Sequence, residues 1–374
     1  MAVPRRVLVA SLDWPQTAGL MAALHAAGFE ATLLTPASPD RIGLGRYCEQ
    51  VTAPSHRDSG YTQFLREQLS RTGASLILPV CEPLIELVWD LEPEISTLAY
   101  PSTEPWQRDL LRDRCRLYEF AQRHSVKVAD WMALRGVEDL QDCAARFGWP
   151  IVIRGTHGHG GVQVRIVADP ASARAGYQEL QQCSRGAPFA QKFIRGRRCL
   201  FGGLFKDGEL IRYFAQETLE AYPTPINPSL RVRSLRDGRL SERGRALFLA
   251  LRWTGLACAE FICDEAGDYH LLEVNPRPWG AIAAARFCGV DLCKSFAEQL
   301  AERAASTRSE YRAGVDCTLF PQFFAVRLQA RVWAWGDIPR YLQSLRAAPW
   351  NQPRLVLHLL RRLWRIWQGT FAEQ

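Results

Sequence analysis

The segment HLLEVNPRPWG, residues 270 to 280, constrains the chain most strongly. An apolar run with strand character stops on Glu273, Asn275 and Arg277, with prolines at 276 and 278. Strand alternation predicts that Tyr269, Leu271, Glu273 and Asn275 share one face, leaving His270, Leu272 and Val274 on the other. Upstream, LACAEFIC at 256 to 263 has the same composition, and the intervening DEAGD is a turn sequence, so the two runs read as a hairpin. A turn centred on Ala266 and Gly267 sets Glu260 directly across from Glu273. Two carboxylates about 5 Å apart repel by roughly 3 kcal/mol at an effective dielectric of 20, and facing like charges are unfavourable in sheets. Two readings follow. Either both glutamates lie on a solvated sheet face, or a divalent cation sits between them with the Asn275 amide carbonyl as a third oxygen ligand. Such an all-oxygen set suits magnesium and leaves positions for phosphate oxygens and water.

A second stretch bears on that choice. RGTHGHGGVQV follows the strand-like WPIVI, and Gly155, Gly158, Gly160 and Gly161 permit backbone conformations in which amides converge on an anion. No GK[ST] follows, so this is not a Walker loop. Arg154, just before it, carries a planar guanidinium suited to phosphate. A plain glycine-rich turn is the alternative, and His157 and His159 read as exposed loop residues rather than metal ligands.

The flanking sequence supplies organisation. Residues 6 to 34 run strand, amphipathic helix, glycine, strand, and SLILPV at 75 to 80 repeats the strand signal, predicting a small parallel α/β unit. Its first turn lacks GxGxxG, so it reads as structural. A helix is expected over residues 109 to 124 and another over about 241 to 254. With 374 residues, 47% of them hydrophobic and 23% charged, the chain can bury a sizeable core. The net charge of +7 is carried mostly by dispersed arginine, and no base-reading motif is present, so no nucleic-acid partner is expected. Eleven cysteines without a CxxC pair, and no leader, read as reduced thiols in a cytoplasmic protein. Cys258 and Cys263 read as core residues.

From Val128 to about residue 304 the order of motifs resembles the ATP-grasp superfamily, specifically its carbamoyl-phosphate-synthase-like branch. The resemblance rests on IVIRGTHGHGGVQV, AQKFI, and AEFIC followed by LLEVNPR, and it extends over roughly residues 5 to 304. It implies mixed α/β and α+β architecture: a parallel α/β pre-ATP-grasp domain (1–105), an ATP-grasp domain (106–304, with a small subdomain at about 128–194 and a large one at about 195–304) and a helical extension (305–374). It also implies that Glu260, Glu273 and Asn275 hold Mg2+, with Mn2+ able to substitute. Arg114, Arg154 and the loop residues Gly158, Gly160 and Gly161 would contact ATP, and Arg277 would face the transferred phosphate or a substrate carboxylate. Gln191, Lys192, Phe193 and Ile194 would line the adenine pocket. The family often has Gly-x-Glu after the linker, with the acid on the ribose. Here Gly196 is followed by Arg197 and Arg198, leaving Glu217 or another acid to take the role. Arg231 and Arg233, after a proline-rich loop, would clamp an acceptor carboxylate. The implied function is an ADP-forming ligase that activates a carboxylate as an acyl phosphate and joins it to an amine or, less often, a thiol. The alternative is an inactive ATP-binding scaffold.

The last 70 residues lie outside this resemblance. In LVLHLLRRLWRIWQ the apolar residues cover about 200° of a helical wheel and arginines occupy the rest. Residues 353 to 368 are therefore expected to pack on the body or another subunit, or to dock peripherally on an anionic inner membrane surface. The oligomeric state is left open by the sequence.

Overall fold

The computed structural model describes residues 5–12, 15–36, 44–101, 103–158, 163–183, 186–303, 310–332, 335–348, 350 and 353–367. Near the N-terminus, strands β1 (Arg6–Ala10), β2 (Glu30–Thr35), β3 (Glu49–Thr52) and β4 (Leu76–Pro79) form a parallel sheet in the order β3-β2-β1-β4. A parallel sheet must be covered on both sides. In β1, Leu8 and Ala10 enter one core while Val7 and Val9 enter another. The second of these cores runs through the helix Pro15–Ala27 to Leu292 and Phe296 of a helix at Leu292–Leu300, joining the parallel sheet to the main body.

A small antiparallel sheet has the order β5-β8-β6-β7, from β5 (Trp131–Ala133), β6 (Ile151–Arg154), β7 (Val164–Val167) and β8 (Phe189–Lys192). The large antiparallel sheet has the order β13-β12-β9-β10-β11-β14. Its members are β9 (Gly196–Lys206), β10 (Glu209–Ala221), β11 (Ser229–Leu235), β12 (Gly255–Asp264), β13 (Tyr269–Asn275) and β14 (Asp316–Thr318). Alternation along β9 and β12 places Leu200, Leu204, Leu256 and Cys258 on one face. The opposite face carries Cys199, Phe201, Phe205, Ala257, Ala259 and Phe261, covered by Leu240, Leu247 and Phe248 of the helix Gly238–Ala250. Each large side chain so buried contributes about 1.5–3 kcal/mol of transfer free energy.

Three local features differ from the sequence reading. The expected helix over 109 to 124 is two helices, Pro105–Arg112 and Arg114–Arg123. Asp113 adopts an extended conformation between them, and its carboxylate accepts hydrogen bonds from the amides of Cys115 and Arg116, capping the second helix. The helix expected from about 241 begins earlier, at Gly238, because Asp237 caps it. Among the described residues beyond 309, the regular elements are helical apart from β14, which pairs antiparallel with β11. Val356, Leu359 and Leu363 of the helix Pro353–Trp367 enter the same core as Leu200 and Cys258.

Candidate functional site

The hairpin of β12 and β13 does set Glu260 against Glu273, by a route that simple alternation misses. The turn closes with the Asp268 carbonyl accepting from the Asp264 amide, and Cys263 pairs with Tyr269. Continued unbroken, that register would bring Leu272 opposite Glu260. A β-bulge between the Glu260 and Phe261 pairs absorbs Leu272 as an extra residue and returns Glu273 to the facing position. The expectation that Tyr269 and Leu271 share a face with Glu273 and Asn275 is therefore corrected. Tyr269, Leu271 and Val274 enter the core beneath the sheet, while Glu273 and Asn275 take the side of Glu260 and Cys258.

Tyr118 pins this bulge. Its hydroxyl donates to the Leu272 carbonyl at 2.8 Å and accepts from Arg154 Nη1 at 2.8 Å. Tyr118 stands one turn after Arg114 on the capped helix, so both side chains reach the hairpin from the same helix face. Tyr118→Phe leaves a buried carbonyl unsatisfied, which costs about 1–3 kcal/mol. The expected outcome is a lower thermal melting point together with weakened nucleotide binding, checked by calorimetry and titration; a variant with unchanged melting would remove Tyr118 from this role.

Arginines gather around the acids. Arg114 Nη2 lies 3.2 Å from Glu273 Oε2, and Arg154 Nη2 lies 3.9 Å from the same oxygen. Arg114 also donates to the Gly155 carbonyl at 3.1 Å and to the Gly158 carbonyl, while its backbone amide donates to Thr156. One arginine thus holds both the glycine loop and the hairpin acid. Gly158 is at φ +125°, a conformation L residues rarely adopt. Gly160, Gly161 and His159 lie outside the described residues. Arg277 donates to Glu82, from the helix Glu82–Trp89, and to the Pro278 carbonyl at 2.9 Å, and it approaches Asn275 Oδ1 at 3.4 Å. A cleft lies between these elements, lined by Glu82, Arg114, Gly158, Glu273 and Asn275 among others.

The surroundings push the two carboxyls in opposite directions. Burial pushes the Glu260 carboxyl up, and the charge of Glu273 adds to this despite Arg198, Arg277 and Arg154 nearby. Burial acts on Glu273 the same way, but the Arg114 and Arg154 guanidiniums outweigh it, and a hydrogen bond from Asn275 Nδ2 at 3.2 Å helps hold this carboxyl below its usual range. Glu260, Glu273 and the Asn275 amide oxygen form an all-oxygen donor set for a hard divalent cation, with a reluctant Glu260 charge to relieve. Buried Nε atoms of Arg114 and Arg154 and the Glu82 Oε2 atom lack hydrogen-bond partners. Arginine nitrogens left in this condition beside a cleft suit a phosphate ligand. Cys258 lies on the same side, but burial pushes its thiol well up, so it stays protonated.

Comparison with known proteins bears on the family and the fold. Residues 113–207 match the family described as carbamoyl-phosphate synthase L chain, ATP binding domain, and residues 230–322 match one described as ATP-grasp in the biosynthetic pathway with Ter operon. The chain belongs to the ATP-grasp superfamily. Among relatives, the carbamoyl phosphate synthase large chain of Clostridium acetobutylicum is 23% identical over 233 residues, covering 59% of this chain and 21% of its own. The D-alanine–D-alanine ligase of Desulfotalea psychrophila is 24% identical over 185 residues, covering 45% of this chain and 57% of its own. The chain therefore spans about a fifth and just over half of these two relatives. N5-carboxyaminoimidazole synthetase from Staphylococcus aureus shares the fold with a TM-score of 0.69 at 12% identity, covering 90% of this chain and 88% of the other. The biotin carboxylase domain of the 2-oxoglutarate carboxylase of Hydrogenobacter thermophilus does so with a TM-score of 0.68 at 18% identity, covering 83% of this chain and 73% of the other.

Within this ATP-grasp fold, other residues singled out in the sequence fall differently. Gln191 is buried with its side-chain oxygen 3.4 Å from Arg154 Nη1, a contact that orients the arginine. Lys192 is exposed, and Phe193 and Ile194 are half-buried in the connection between the two antiparallel sheets. Arg231 and Arg233 do not face the acids. They alternate with Leu230 and Val232, and Val232 packs on the same side as Cys258, so the arginines point to the opposite side of the sheet. There they are engaged by Glu220 and Asp316: Arg233 Nε lies 2.5 Å from Asp316 Oδ1, and Arg231 lies 3.7 Å from each acid. Glu217 is likewise on the far face, opposite Cys199 and 2.9 Å from Arg197, so it does not substitute for a ribose acid. Arg198, opposite Ile262, is on the Glu260 side and bonds Thr218 and Ser229. Glu82 and Tyr118 were not singled out by the sequence. EPLIEL gives no signal beyond a helix start, whereas the i, i+4 spacing of Arg114 and Tyr118 was available.

Proposed function

We propose that the protein is an ADP-forming ligase that activates a carboxylate with ATP and joins it to an amine. The observation that carries this reading is the bulged hairpin presenting Glu260 opposite Glu273 beside three buried arginines, Arg114, Arg154 and Arg277. A fold serving only as a scaffold gains nothing from two facing acids, which cost stability unless a ligand offsets them.

Glu260, Glu273 and Asn275 would hold Mg2+ there; when bound, the cation offsets charge on the phosphates and on the two acids. Arg114 and Arg154 bind and orient the γ-phosphoryl group, and Gly155 and Gly158 are tied to Arg114 so that the loop covers the same group. The substrate carboxylate oxygen forms a bond to the γ-phosphorus as the bond to the β-phosphate oxygen breaks, releasing ADP and leaving an acyl phosphate. Arg277 orients that carboxylate. The amine nitrogen then attacks the carbonyl carbon, phosphate leaves, and the nitrogen gives up a proton. Glu82 Oε2, buried and without a hydrogen-bond partner at the cleft, is placed to accept a hydrogen bond from the neutral amine and the proton it gives up. The work is positioning and charge stabilisation, with no protein nucleophile.

The test is nucleotide release with ATP, Mg2+ and pooled carboxylates and amines. ADP and phosphate are the expected products, with multiple turnovers only when both pools are present and turnover lost in Glu273→Gln. AMP and pyrophosphate would contradict the acyl-phosphate route. Among partners, small-molecule substrates follow from this chemistry. The C-terminal helix also presents uncovered apolar surface for a contact outside the chain.

A further inference from the structure

The helix Pro353–Trp367 carries two apolar stripes. Val356, Leu359 and Leu363, spaced i, i+3 and i+7, are buried in the core that also holds Cys258. Leu357, Leu360, Trp364 and Trp367 repeat the spacing one position on, at i, i+3, i+7 and i+10, and they are 49%, 39%, 57% and 59% exposed. Packing on the body thus accounts for only one stripe. The Trp364 and Trp367 rings lie 4.8 Å apart, so they form one continuous apolar surface rather than scattered side chains. At 100° per residue Arg361 and Arg365 border this stripe on the side away from the core. Residues 338 to 367 contain six arginines and neither aspartate nor glutamate. Trp350, just before the helix, is also 56% exposed.

We propose that this face docks the protein on an anionic lipid surface, with Leu357, Leu360, Trp364 and Trp367 entering the interface and the arginines meeting lipid headgroups. The indole ring has an apolar body and a polar N–H, and so favours the boundary between acyl chains and headgroups. The buried stripe fixes the helix to the body, which sets it lying along the surface. No helix among the described residues is long and apolar enough to cross a membrane. A second copy of the chain is the competing occupant, since a heptad-like stripe can pair with itself. Charge argues against it, because a self-complementary pairing brings the arginine borders of both helices together, and residues 338 to 367 contribute no acid of their own. An anionic bilayer supplies the complementary charge.

The test is flotation of the full chain with vesicles of phosphatidylcholine alone or mixed with phosphatidylglycerol. The docking face predicts at least ten-fold greater partitioning to the anionic vesicles, falling as salt is raised. Trp364→Ser with Trp367→Ser, and separately Arg361→Glu with Arg365→Glu, should each reduce it at least ten-fold. Both double variants change exposed or half-exposed positions, and their thermal melts should match the parent. Equal recovery from both vesicle types, or partitioning unchanged in either double variant, would overturn the proposal. So would a concentration-dependent dimer, seen by light scattering, that the tryptophan variant abolishes while vesicle binding is absent. None of these outcomes depends on the ligase reading.

Discussion

Replacing Glu260 by glutamine raises the melting temperature of the metal-free protein at neutral pH, whereas replacing Glu273 by glutamine lowers it. The two positions are chemically identical and face each other, so opposite signs follow only from their surroundings. Glu260 has its carboxyl pushed up by burial and by Glu273. A raised acid favours the folded state when protonated; that contribution is complete below the ordinary carboxylate range and is lost as pH rises through the raised folded value. At neutral pH the ionised group is a burden, and glutamine removes it. Glu273 is held low because Arg114 and Arg154 outweigh its burial. Its contribution is present above the ordinary range and disappears as pH falls through the depressed folded value. Glutamine there leaves two buried guanidiniums without their acid, at a cost of about 3 kcal/mol. Melting curves in chelator from pH 8 down to below the ordinary carboxylate range of about pH 4 should show the Glu260→Gln gain shrinking toward acid and the Glu273→Gln deficit shrinking only below that range. Both variants should lose on the order of 10²–10³-fold in ADP formation. Two deficits of the same sign would mean that the acids do not differ as described.

Arg277→Ala is expected to separate nucleotide binding from turnover. Among the described residues Arg277 bonds Glu82, Asn275 and the Pro278 carbonyl, so ATP affinity should change only a few-fold. Carboxylate-dependent ADP formation should fall by about 10²–10³-fold, the usual consequence of removing one oriented charge donor. Arg277→Lys should recover little, because an ammonium cannot reproduce a planar fork shared between Glu82 and a substrate carboxylate. Removing the arginine also leaves the Glu82 carboxylate buried against the helix it starts, so the melting point should drop. Glu82→Gln in the Arg277→Ala background should restore the melting point without restoring turnover. Steady-state assays at saturating ATP, together with thermal melts of the single and double variants, check each part. Retained turnover in Arg277→Ala would remove the residue from the chemistry.

Much of the fold was legible from the sequence because local patterns agreed with tertiary pairing. The apolar runs at 6 to 10 and 76 to 79 are strands buried on both faces, and the acids at 260 and 273 do meet. The face assignment along β13 was not legible, because a bulge at Leu272 carries no residue signature. It is fixed from a distance by the Tyr118 hydroxyl. Arg231 and Arg233 misled because strand parity decides which side of a sheet a side chain takes. Their acidic partners, Glu220 and Asp316, come from β10 and from β14, a strand far along the chain. Glu82 was invisible for a related reason. It reaches Arg277 from 195 residues away, across the junction between the parallel sheet and the large sheet, and short-range spacing contains nothing of that distance. The break at Asp113 was legible in principle, since an aspartate before a helical run is a capping signal.

The proposed chemistry requires Glu260 and Glu273 to act together on one cation with bound ATP. Manganese titration in the presence of ATP, followed by electron paramagnetic resonance, tests this most directly. One tightly bound Mn2+ is expected in the parent protein, with affinity reduced at least ten-fold in both Glu260→Gln and Glu273→Gln and unchanged in Arg231→Ala. Parent-like binding in Glu260→Gln would contradict it.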